Sequence, residues 1–444
     1  MYSKEFLISG KAMAVVSLAQ ARNMKNAIRP QNVAVTALAV WLVCEPLPHT
    51  TALANLAALL MLIGLLLHFE SAMPAIQWKS LPILAVGLFI GSLIITSLTG
   101  QDPLESLSTL RQGLLPELLA FMILISVNIP FHTFKRILIA VCAAFSLRAL
   151  DIIVEVLILN RPDAYLRHGF ALDSSLYMSL TFCLILIEKN KTTKFWLIAS
   201  MAPQALALLT YGSRTPILGI ALAMLIGILL SKSWTILTRS VICFLVAFIV
   251  LAGTSPSLVA RYLTPFSSNT YSEDAAMLDR WAIWAGTFSV IRHRPLLGYG
   301  YGWKNLGKVA KFYGLDQEQS FPKKELAAIG ARFFALPSEK VNPHSLVLQI
   351  LFEAGILGLC AYIFFLFSIA IGANRALKER FEDERAMFVA FAGTMVLTSY
   401  LVVNVTNGLT AKLGILFCFQ GLIYQIFQDR AQTRIGLKQA RSDK

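Results

Sequence analysis

Three polar residues are candidates for chemistry: Arg214 and His344, which stand where apolar segments begin, and Arg280, which lies in the long polar stretch between them. A guanidinium group binds a phosphate through paired, charge-assisted hydrogen bonds. An imidazole titrates near neutral pH and can accept a proton from a hydroxyl group. Two arginines and one histidine therefore suit a transfer reaction in which a hydroxyl attacks and a diphosphate leaves.

Arg214 follows a short turn between two apolar segments. Gly212 and Ser213 permit this turn, and Pro216 suits the first turn of the helix that follows. Backbone N–H groups at a helix N-terminus favour anions, so Arg214 is predicted to bind a phosphate there, with Ser213 in support. The alternative interpretation is an arginine that reaches into the lipid headgroups.

Arg280 lies in a stretch, 272–291, that predicts a helix with Trp281 and Trp284 on an interfacial face. The guanidinium group could bind a diphosphate, or it could pair with Asp279 or Glu273 nearby. The residue alone does not favour either interpretation.

A run rich in glycine and tyrosine, 298–302, follows this helix. The run is too flexible for a helix and predicts a turn beside the headgroups, with Tyr299 as a supporting site residue. It does not match a nucleotide-binding fingerprint, because no strand precedes it and no helix clearly follows.

His344 stands in the run Asn342-Pro343-His344-Ser345, at or next to the start of an apolar helix. A helix N-terminus would lower the pKa of the imidazole and keep it neutral, which suits a general base. Asn342 is a candidate supporting residue. Glu353, farther along the same helix, could pair with an arginine or orient a polar neighbour. The alternative interpretation is a structural histidine.

No His, Cys, Asp or Glu cluster in the sequence has the spacing of metal ligands, and Asp102 with Glu105 is only a loose acidic pair. The sequence therefore predicts a reaction without a metal or other cofactor, in which arginines neutralise the leaving group. The six cysteines all lie in apolar segments and predict neither disulfides nor a CxxC site.

The elements that must hold these residues are membrane-spanning helices. Of the 444 residues, 56% are hydrophobic and only 14% are charged, and the apolar residues fall in runs of bilayer length. The sequence predicts an all-α polytopic membrane protein with about twelve transmembrane helices. The predicted spans lie near 31–48, 51–69, 81–99, 113–129, 134–157, 173–188, 194–211, 214–231, 235–253, 345–372, 386–404 and 410–427.

The Lys and Arg residues that give the chain its net charge of +14 lie mainly outside these spans. Lys and Arg are concentrated before the first span, in alternate short loops and in the tail, whereas the opposite short loops hold few. This asymmetry predicts that both termini are cytoplasmic. The basic balance therefore indicates topology and contact with anionic membrane lipid, and it predicts no nucleic-acid partner.

The chain divides into five predicted segments. They are a cytoplasmic N-terminal segment (1–30), transmembrane helices one to nine (31–253), a large periplasmic loop with the catalytic elements (254–344), transmembrane helices ten to twelve (345–427) and a cytoplasmic tail (428–444). With a cytoplasmic N-terminus, the large loop, Arg214 and His344 all lie on the outer face. The topology thus predicts that polar residues distant in sequence share one membrane depth.

Three short motifs occur in this order along the chain: Ser213-Arg214, Arg280-Trp281 and a His-Ser-x-x-Leu motif that begins at His344. Glu353, Gly355 and Gly358 follow the last motif. Together with the number of spans, the cytoplasmic termini and one large loop before the last three spans, these motifs give the chain a likeness to a known family. The chain resembles the superfamily of O-antigen ligases and O-antigen polymerases of bacterial inner membranes.

The resemblance implies a glycosyltransferase of the bacterial inner membrane that needs no metal or nucleotide and whose active site faces the periplasm. Its donor would be a glycan on undecaprenyl diphosphate, with Arg214 and Arg280 gripping the diphosphate and His344 activating the acceptor. A chain of this length with one late loop looks more like the ligase than the polymerase. The ligase attaches O-antigen to lipid A–core in lipopolysaccharide biosynthesis.

Two other functions are alternatives: an O-antigen polymerase acting on lipid-linked repeat units, and a transporter of lipid-linked glycans. Arg148, Asp151 and Glu155 interrupt an apolar segment and favour transport. The concentration of unusual residues at one surface favours an enzyme, since transporters place theirs near the midplane. The stretch 323–335 is amphipathic and either covers the acceptor site or rests on lipid.

Overall fold

The structure is a computed structural model that describes residues 29–73, 76–159, 161, 170–211, 214–232, 271–321, 324–378, 383–407 and 413–442. Over this part of the chain it has fourteen α-helices and no β-strand. In chain order the helices are α1 (Pro30–Cys44), α2 (Thr51–Ala72), α3 (Leu81–Leu98), α4 (Pro103–Ser126), α5 (Phe131–Ile153), α6 (Phe170–Ile187), α7 (Lys191–Tyr211), α8 (Arg214–Ser231), α9 (Tyr271–Ile291), α10 (Asn305–Phe312), α11 (Lys324–Phe334), α12 (Leu346–Lys378), α13 (Glu384–Asn407) and α14 (Gly414–Ser442).

Seven of these helices are long and apolar enough to cross a membrane: α2, α3, α4, α5, α8, α12 and α13. Helices α1 and α6 are also apolar, but their apolar segments are shorter than those of the seven helices above. The predicted all-α polytopic membrane fold is confirmed, whereas the predicted number of about twelve spans is not. The predicted span at 235–253 lies outside the described residues.

Most of the helices pack around one large core. Helix α12 packs on α3 and α13, α13 packs on α6 and α8, and α1 packs on α2. Aromatic side chains fill the centre, where the ring centroids of Phe89 and Tyr362 lie 5.3 Å apart. Such close packing holds helices together in lipid, where burial of apolar surface contributes little.

A second, smaller core consists of buried side chains between Val290 and Phe352, which come from the end of α9, from α10, from α11 and from the first turns of α12. Helix α11 packs on α9, and its Phe334 is fully buried. A Cβ atom at Gly286 would lie 2.3 Å from the Phe334 ring, so only glycine allows this approach. The apolar side of the predicted amphipathic stretch 323–335 is therefore buried against protein.

Ion pairs bring together helix ends that the predicted topology places on the same side of the membrane. The Lys135 ammonium lies 3.3 Å from the Glu188 carboxylate and 2.6 Å from that of Glu384, so it joins three helix ends. All three residues are predicted on one side of the membrane, here called the opposite face. The other side carries the large loop and is called the site face.

A buried ion pair accounts for the charge that interrupts α5. Arg148 and Asp173 are both buried, and their nearest nitrogen and oxygen atoms lie 2.8 Å apart. The guanidinium carbon also lies over the Phe145 ring, 5.8 Å from its centroid. Asp151 is exposed. Since Arg148 has a carboxylate partner on α6, it joins two packed helices. An ion pair of this kind does not favour a transport path.

Candidate active site

His344 lies two residues before α12 and has an unusual backbone conformation. Its φ angle is 48°, in the left-handed region that few residues other than glycine adopt. The backbone N–H of His344 donates a hydrogen bond of 2.8 Å to the side-chain oxygen of Asn342. This turn, closed by an asparagine side chain, holds the strained residue in place. The structure therefore gives Asn342 the supporting position predicted for it.

The surroundings of His344 favour its neutral form. The side chain is partly buried, and burial lowers the pKa of His344 below its ordinary value. The positive charge of Arg280 lowers this pKa further. The direction agrees with the expectation from the sequence, but the causes are burial and Arg280 instead of a helix N-terminus. A neutral imidazole can accept a proton at pH 7.

Arg280 lies on α9 with an exposed side chain. Among the described side chains none forms an ion pair with it, so the predicted pairing with Asp279 is not what the structure has, while the side chain of Glu273 lies outside the described residues. Trp281 and Trp284 lie edge to face beside it, with ring centroids 5.9 Å apart. Arg280 therefore combines an accessible guanidinium group with closeness to His344.

Arg214 is the first residue of α8 and is exposed. Helix α8 packs on α13, where a Cβ atom at Gly219 would lie 3.1 Å from the Val403 side chain. Helix α13 packs in turn on α12, which begins beside His344. Arg214 is thus at the same end of the bundle as His344, while Ser213 lies outside the described residues. Its action on a shared substrate stays a prediction.

The turn after α9 is inserted into a break in α12. At Gly355 the helix has a φ of 63° and a ψ of −163°, which are not helical values. Four backbone hydrogen bonds join the turn to the break: Tyr299 N–H to Phe352 O (2.8 Å), Gly300 N–H to Glu353 O (2.9 Å), Ile356 N–H to Pro295 O (2.8 Å) and Leu357 N–H to Leu296 O (3.2 Å). The backbone N–H and C=O groups that would pair with each other in a continuous helix are hydrogen-bonded to the turn instead.

Glycines make this insertion sterically feasible. A Cβ atom at Gly355 would lie 2.3 Å from the Leu296 backbone, and one at Gly298 would lie 2.5 Å from the Phe352 oxygen. Both glycines also have positive φ angles. The predicted turn at 298–302 is confirmed, and its glycines are required by close approach to α12.

Glu353 is buried beneath this turn. Its carboxylate accepts a hydrogen bond of 3.0 Å from the Gln349 side chain, and the backbone N–H groups of Gly302 and Trp303 favour its charged form. Among the described side chains no arginine forms an ion pair with Glu353, and its role in orienting a polar neighbour stays a prediction. Glu353 connects the short helix that follows His344 to the turn.

Tyr299 is fully enclosed and does not face a substrate. Its hydroxyl donates to the Val290 carbonyl oxygen at 3.0 Å, and its ring stacks on Phe352 with centroids 5.2 Å apart. Burial raises the pKa of Tyr299, and its hydrogen bond with Tyr313 raises this pKa further. The predicted supporting role of Tyr299 thus corresponds to packing the turn against α9 and α12.

The loop between α3 and α4 contacts the turn after α9, which was not predicted from the sequence. The Gln101 N–H donates to the Tyr299 carbonyl oxygen at 3.1 Å, and the Arg294 guanidinium donates to the Thr99 carbonyl oxygen at 3.3 Å. The Asp102 side chain accepts from the Glu105 N–H at 3.1 Å, so the loose acidic pair is a helix N-cap.

Tyr301 and Glu117 are site-face residues that sequence reasoning missed. Burial raises the pKa of Tyr301, and the negative charges of Glu353 and Glu117 raise it further. The tyrosine therefore stays protonated beside two carboxylates. Glu117 stands inside a predicted span, and a carboxylate inside an apolar helix was the signal that could have identified it.

Among the described residues, no group of three or more His, Cys, Asp and Glu side chains could hold a metal ion. The groups gathered at the site face are instead a histidine, arginines and backbone N–H groups. They can accept a proton and bind an anion.

The fold and this site define a polytopic α-helical membrane protein whose polar groups are gathered at one end of the bundle. Residues 196–363 match a family model described as O-Antigen ligase. The match covers less than half of the chain, and it includes Arg214, Arg280 and His344. It confirms the predicted resemblance to the superfamily of O-antigen ligases and polymerases. No curated protein sequence matches the chain.

Proposed function

We propose that the protein transfers an O-antigen glycan from undecaprenyl diphosphate to a hydroxyl of lipid A–core. The observation that carries the proposal is the neutral His344 held by Asn342 beside Arg280, within the segment that matches the O-antigen ligase family. Attack by a hydroxyl and departure of a diphosphate require a base and a cation near the reacting groups.

In the proposed step the acceptor hydroxyl oxygen attacks the anomeric carbon of the glycan. The bond from that carbon to the diphosphate oxygen breaks, and the diphosphate leaves with the electron pair. His344 accepts the proton of the hydroxyl. Arg214 and Arg280 bind the diphosphate and stabilise its developing charge. A single displacement inverts the anomeric configuration, and no metal ion is needed in this step.

The proposed location is the bacterial inner membrane, with the site face toward the periplasm. The charge asymmetry of the loops supports this orientation, since the cation-rich loops lie on the opposite face. The family also covers polymerases, whose acceptor is a second lipid-linked glycan. Chain length and the single late loop favour the ligase.

The test is reconstitution of the purified protein with lipid-linked glycan and either lipid A–core or a second lipid-linked glycan. We expect glycosylated lipid A–core, also in the presence of EDTA, and no product with His344→Ala. His132→Ala, which removes an exposed histidine on the opposite face, is the matched control and should keep full activity.

Each other result has a definite meaning. A longer lipid-linked glycan as the product would identify a polymerase. Full activity of a correctly inserted His344→Ala protein would remove the general-base role. Loss of activity in EDTA with rescue by a divalent cation would contradict the proposed chemistry. Vesicle flux without any new glycosidic bond would favour transport.

A further inference from the structure

A long stretch of the site face carries positive charges without any acidic residue. Between Asp279 and Asp316 there is no Asp or Glu. The same stretch contains five Lys and Arg residues that have no part in the proposed transfer: Arg292, Arg294, Lys304, Lys308 and Lys311. On the predicted topology this is the side of the membrane where loops are poor in Lys and Arg. The excess of cations therefore needs a partner.

The lysines of this stretch share one side of α10. Lys304, Lys308 and Lys311 are spaced by four and three residues, which places them on one helix face, and all three are exposed. Leu306 and Val309 on the other side of the helix are buried in the second core. The core thus holds α10 so that its lysines face outward.

Only part of this charge is compensated by neighbouring groups. The Lys308 ammonium lies 2.5 Å from the Glu105 carboxylate, with Asp102 nearby. No carboxylate among the described side chains pairs with Arg292, Lys304 or Lys311. We call Arg292, Lys304 and Lys311 the cationic face.

Exposed rings accompany the cationic face. The imidazole of His293 stacks on Tyr313 with ring centroids 4.2 Å apart, and His293 is exposed. Phe312, next to Lys311, is 74% exposed. Cations beside exposed flat rings match a ligand with both phosphate groups and apolar ring faces.

The cationic face adjoins the proposed base. A Cβ atom at Gly307 on α10 would lie 2.6 Å from the Ser338 Cα, so α10 touches the short 3-10 helix Ser338–Lys340. His344 follows Lys340 by four residues, a span of at most about 14 Å. A molecule bound on the cationic face can therefore extend to His344.

We propose that the cationic face binds the phosphate groups on the saccharide headgroup of the acceptor glycolipid. The inference rests on the proposed transfer reaction, because it assigns a place to the acceptor. Arg214 and Arg280 are then left for the donor diphosphate. A phosphorylated saccharide fits better than a simple phospholipid headgroup, because only the saccharide offers ring faces to His293, Tyr313 and Phe312.

The test uses the full-length protein in nanodiscs of neutral lipid. Dissociation constants are measured for lipid A–core and for the same glycolipid after enzymatic removal of its phosphates. The variant combines Arg292→Gln, Lys304→Ala and Lys311→Ala. The matched control removes three lysines of the opposite face by Lys189→Ala, Lys191→Ala and Lys194→Ala.

We expect the variant to raise the Kd for phosphorylated lipid A–core at least tenfold and to leave the Kd for the dephosphorylated glycolipid unchanged. The control should leave both constants unchanged, and KM for the lipid-linked donor should be the same in all three proteins. Native acceptor affinity in the variant, or an equal loss in the control, would overturn the inference. So would displacement of lipid A–core by an equal concentration of phosphatidylglycerol.

Failure of the proposed function gives a different result from failure of this inference. Phosphate-dependent binding that is lost in the variant, combined with a wild-type protein that forms no glycosidic bond, would support the cationic face and contradict the transfer reaction. Transfer that proceeds equally well with phosphorylated and dephosphorylated acceptor would support the transfer reaction and overturn the cationic face.

Discussion

At the scale of single residues, His344 has two properties that a general base needs. Its position is fixed, because Asn342 closes a turn around a left-handed backbone. Its proton affinity is reduced by burial and by Arg280, so the imidazole is ready to accept a proton at neutral pH. Arg280 thus acts on His344 as well as on any anion that it binds.

The effect of Arg280 on His344 predicts a shift in the pH dependence of activity. Removing a positive charge makes the imidazolium form easier to reach, so Arg280→Ala raises the pKa of His344. The acidic limb of a plot of kcat/KM against pH should therefore move to higher pH in this variant. Arg280→Lys keeps the charge and should keep the wild-type limb. A limb that stays fixed in Arg280→Ala, or moves to lower pH, would show that His344 is not the titrating base.

The sequence allowed part of this site to be predicted. Residue type and position at a helix start identified His344 as a candidate base, and the glycines predicted the turn at 298–302. The approach of the Gly302 and Trp303 backbone to Glu353 could not be predicted, because only tertiary contact brings these groups together. The contact between Thr99 and Arg294 was hidden for the same reason, since nothing local in either segment indicates the other.

At the scale of elements, the break in α12 is the feature that positions the site. Hydropathy cannot reveal such a break, because the residues on both sides of Gly355 are apolar and the run reads as one span. A glycine inside a helical pattern is itself ambiguous. The structure shows that Gly355 is where a turn from another part of the chain replaces helical hydrogen bonds.

The close approach at this break predicts a strong effect of one methyl group. Gly355→Ala places a Cβ atom 2.3 Å from the Leu296 backbone and in an unfavourable φ region. We expect the free energy of unfolding to fall by more than about 2 kcal/mol, with a lower Tm in detergent. The control is Gly87→Ala on α3, where no heavy atom lies within 4 Å. It should leave the Tm unchanged or slightly raised. Equal Tm values for the two variants would contradict this account of the break.

At the scale of the whole molecule, the two hydrophobic cores have different structural roles. The large core holds the membrane helices together, and the smaller core of buried side chains between Val290 and Phe352 places α9, α10 and α11 at the site face. The charge pattern predicted which helix ends share a face, and the ion pairs at Lys135 agree with it. The sequence predicted a helix at 272–291 and an amphipathic stretch at 323–335, but it could not predict that they would pack into a core of their own, because only tertiary contacts bring these segments together.

The buried pair between α5 and α6 predicts a stability effect without a catalytic one. Arg148→Ala leaves the Asp173 carboxylate in the interior without its cation, which should cost about 3–5 kcal/mol. Thermal unfolding of the purified protein measures this loss. Arg111→Ala removes an exposed arginine and should change stability by less than about 0.5 kcal/mol. Replacing both partners, by Arg148→Met with Asp173→Leu, should recover most of the stability and retain glycan transfer. A stable double variant without transfer would give the pair a direct functional role.

The insertion of the turn into α12 also determines which kinds of sequence change the site can tolerate. The four bonds use only backbone atoms, and Leu296, Ile356 and Leu357 all direct exposed side chains away from them. These three positions should therefore accept many residue types. A single inserted or deleted residue between Pro295 and Gly300 would move every donor out of register with its acceptor. Apart from its glycines at 298 and 300, this turn has to preserve the number of its residues more than their identity.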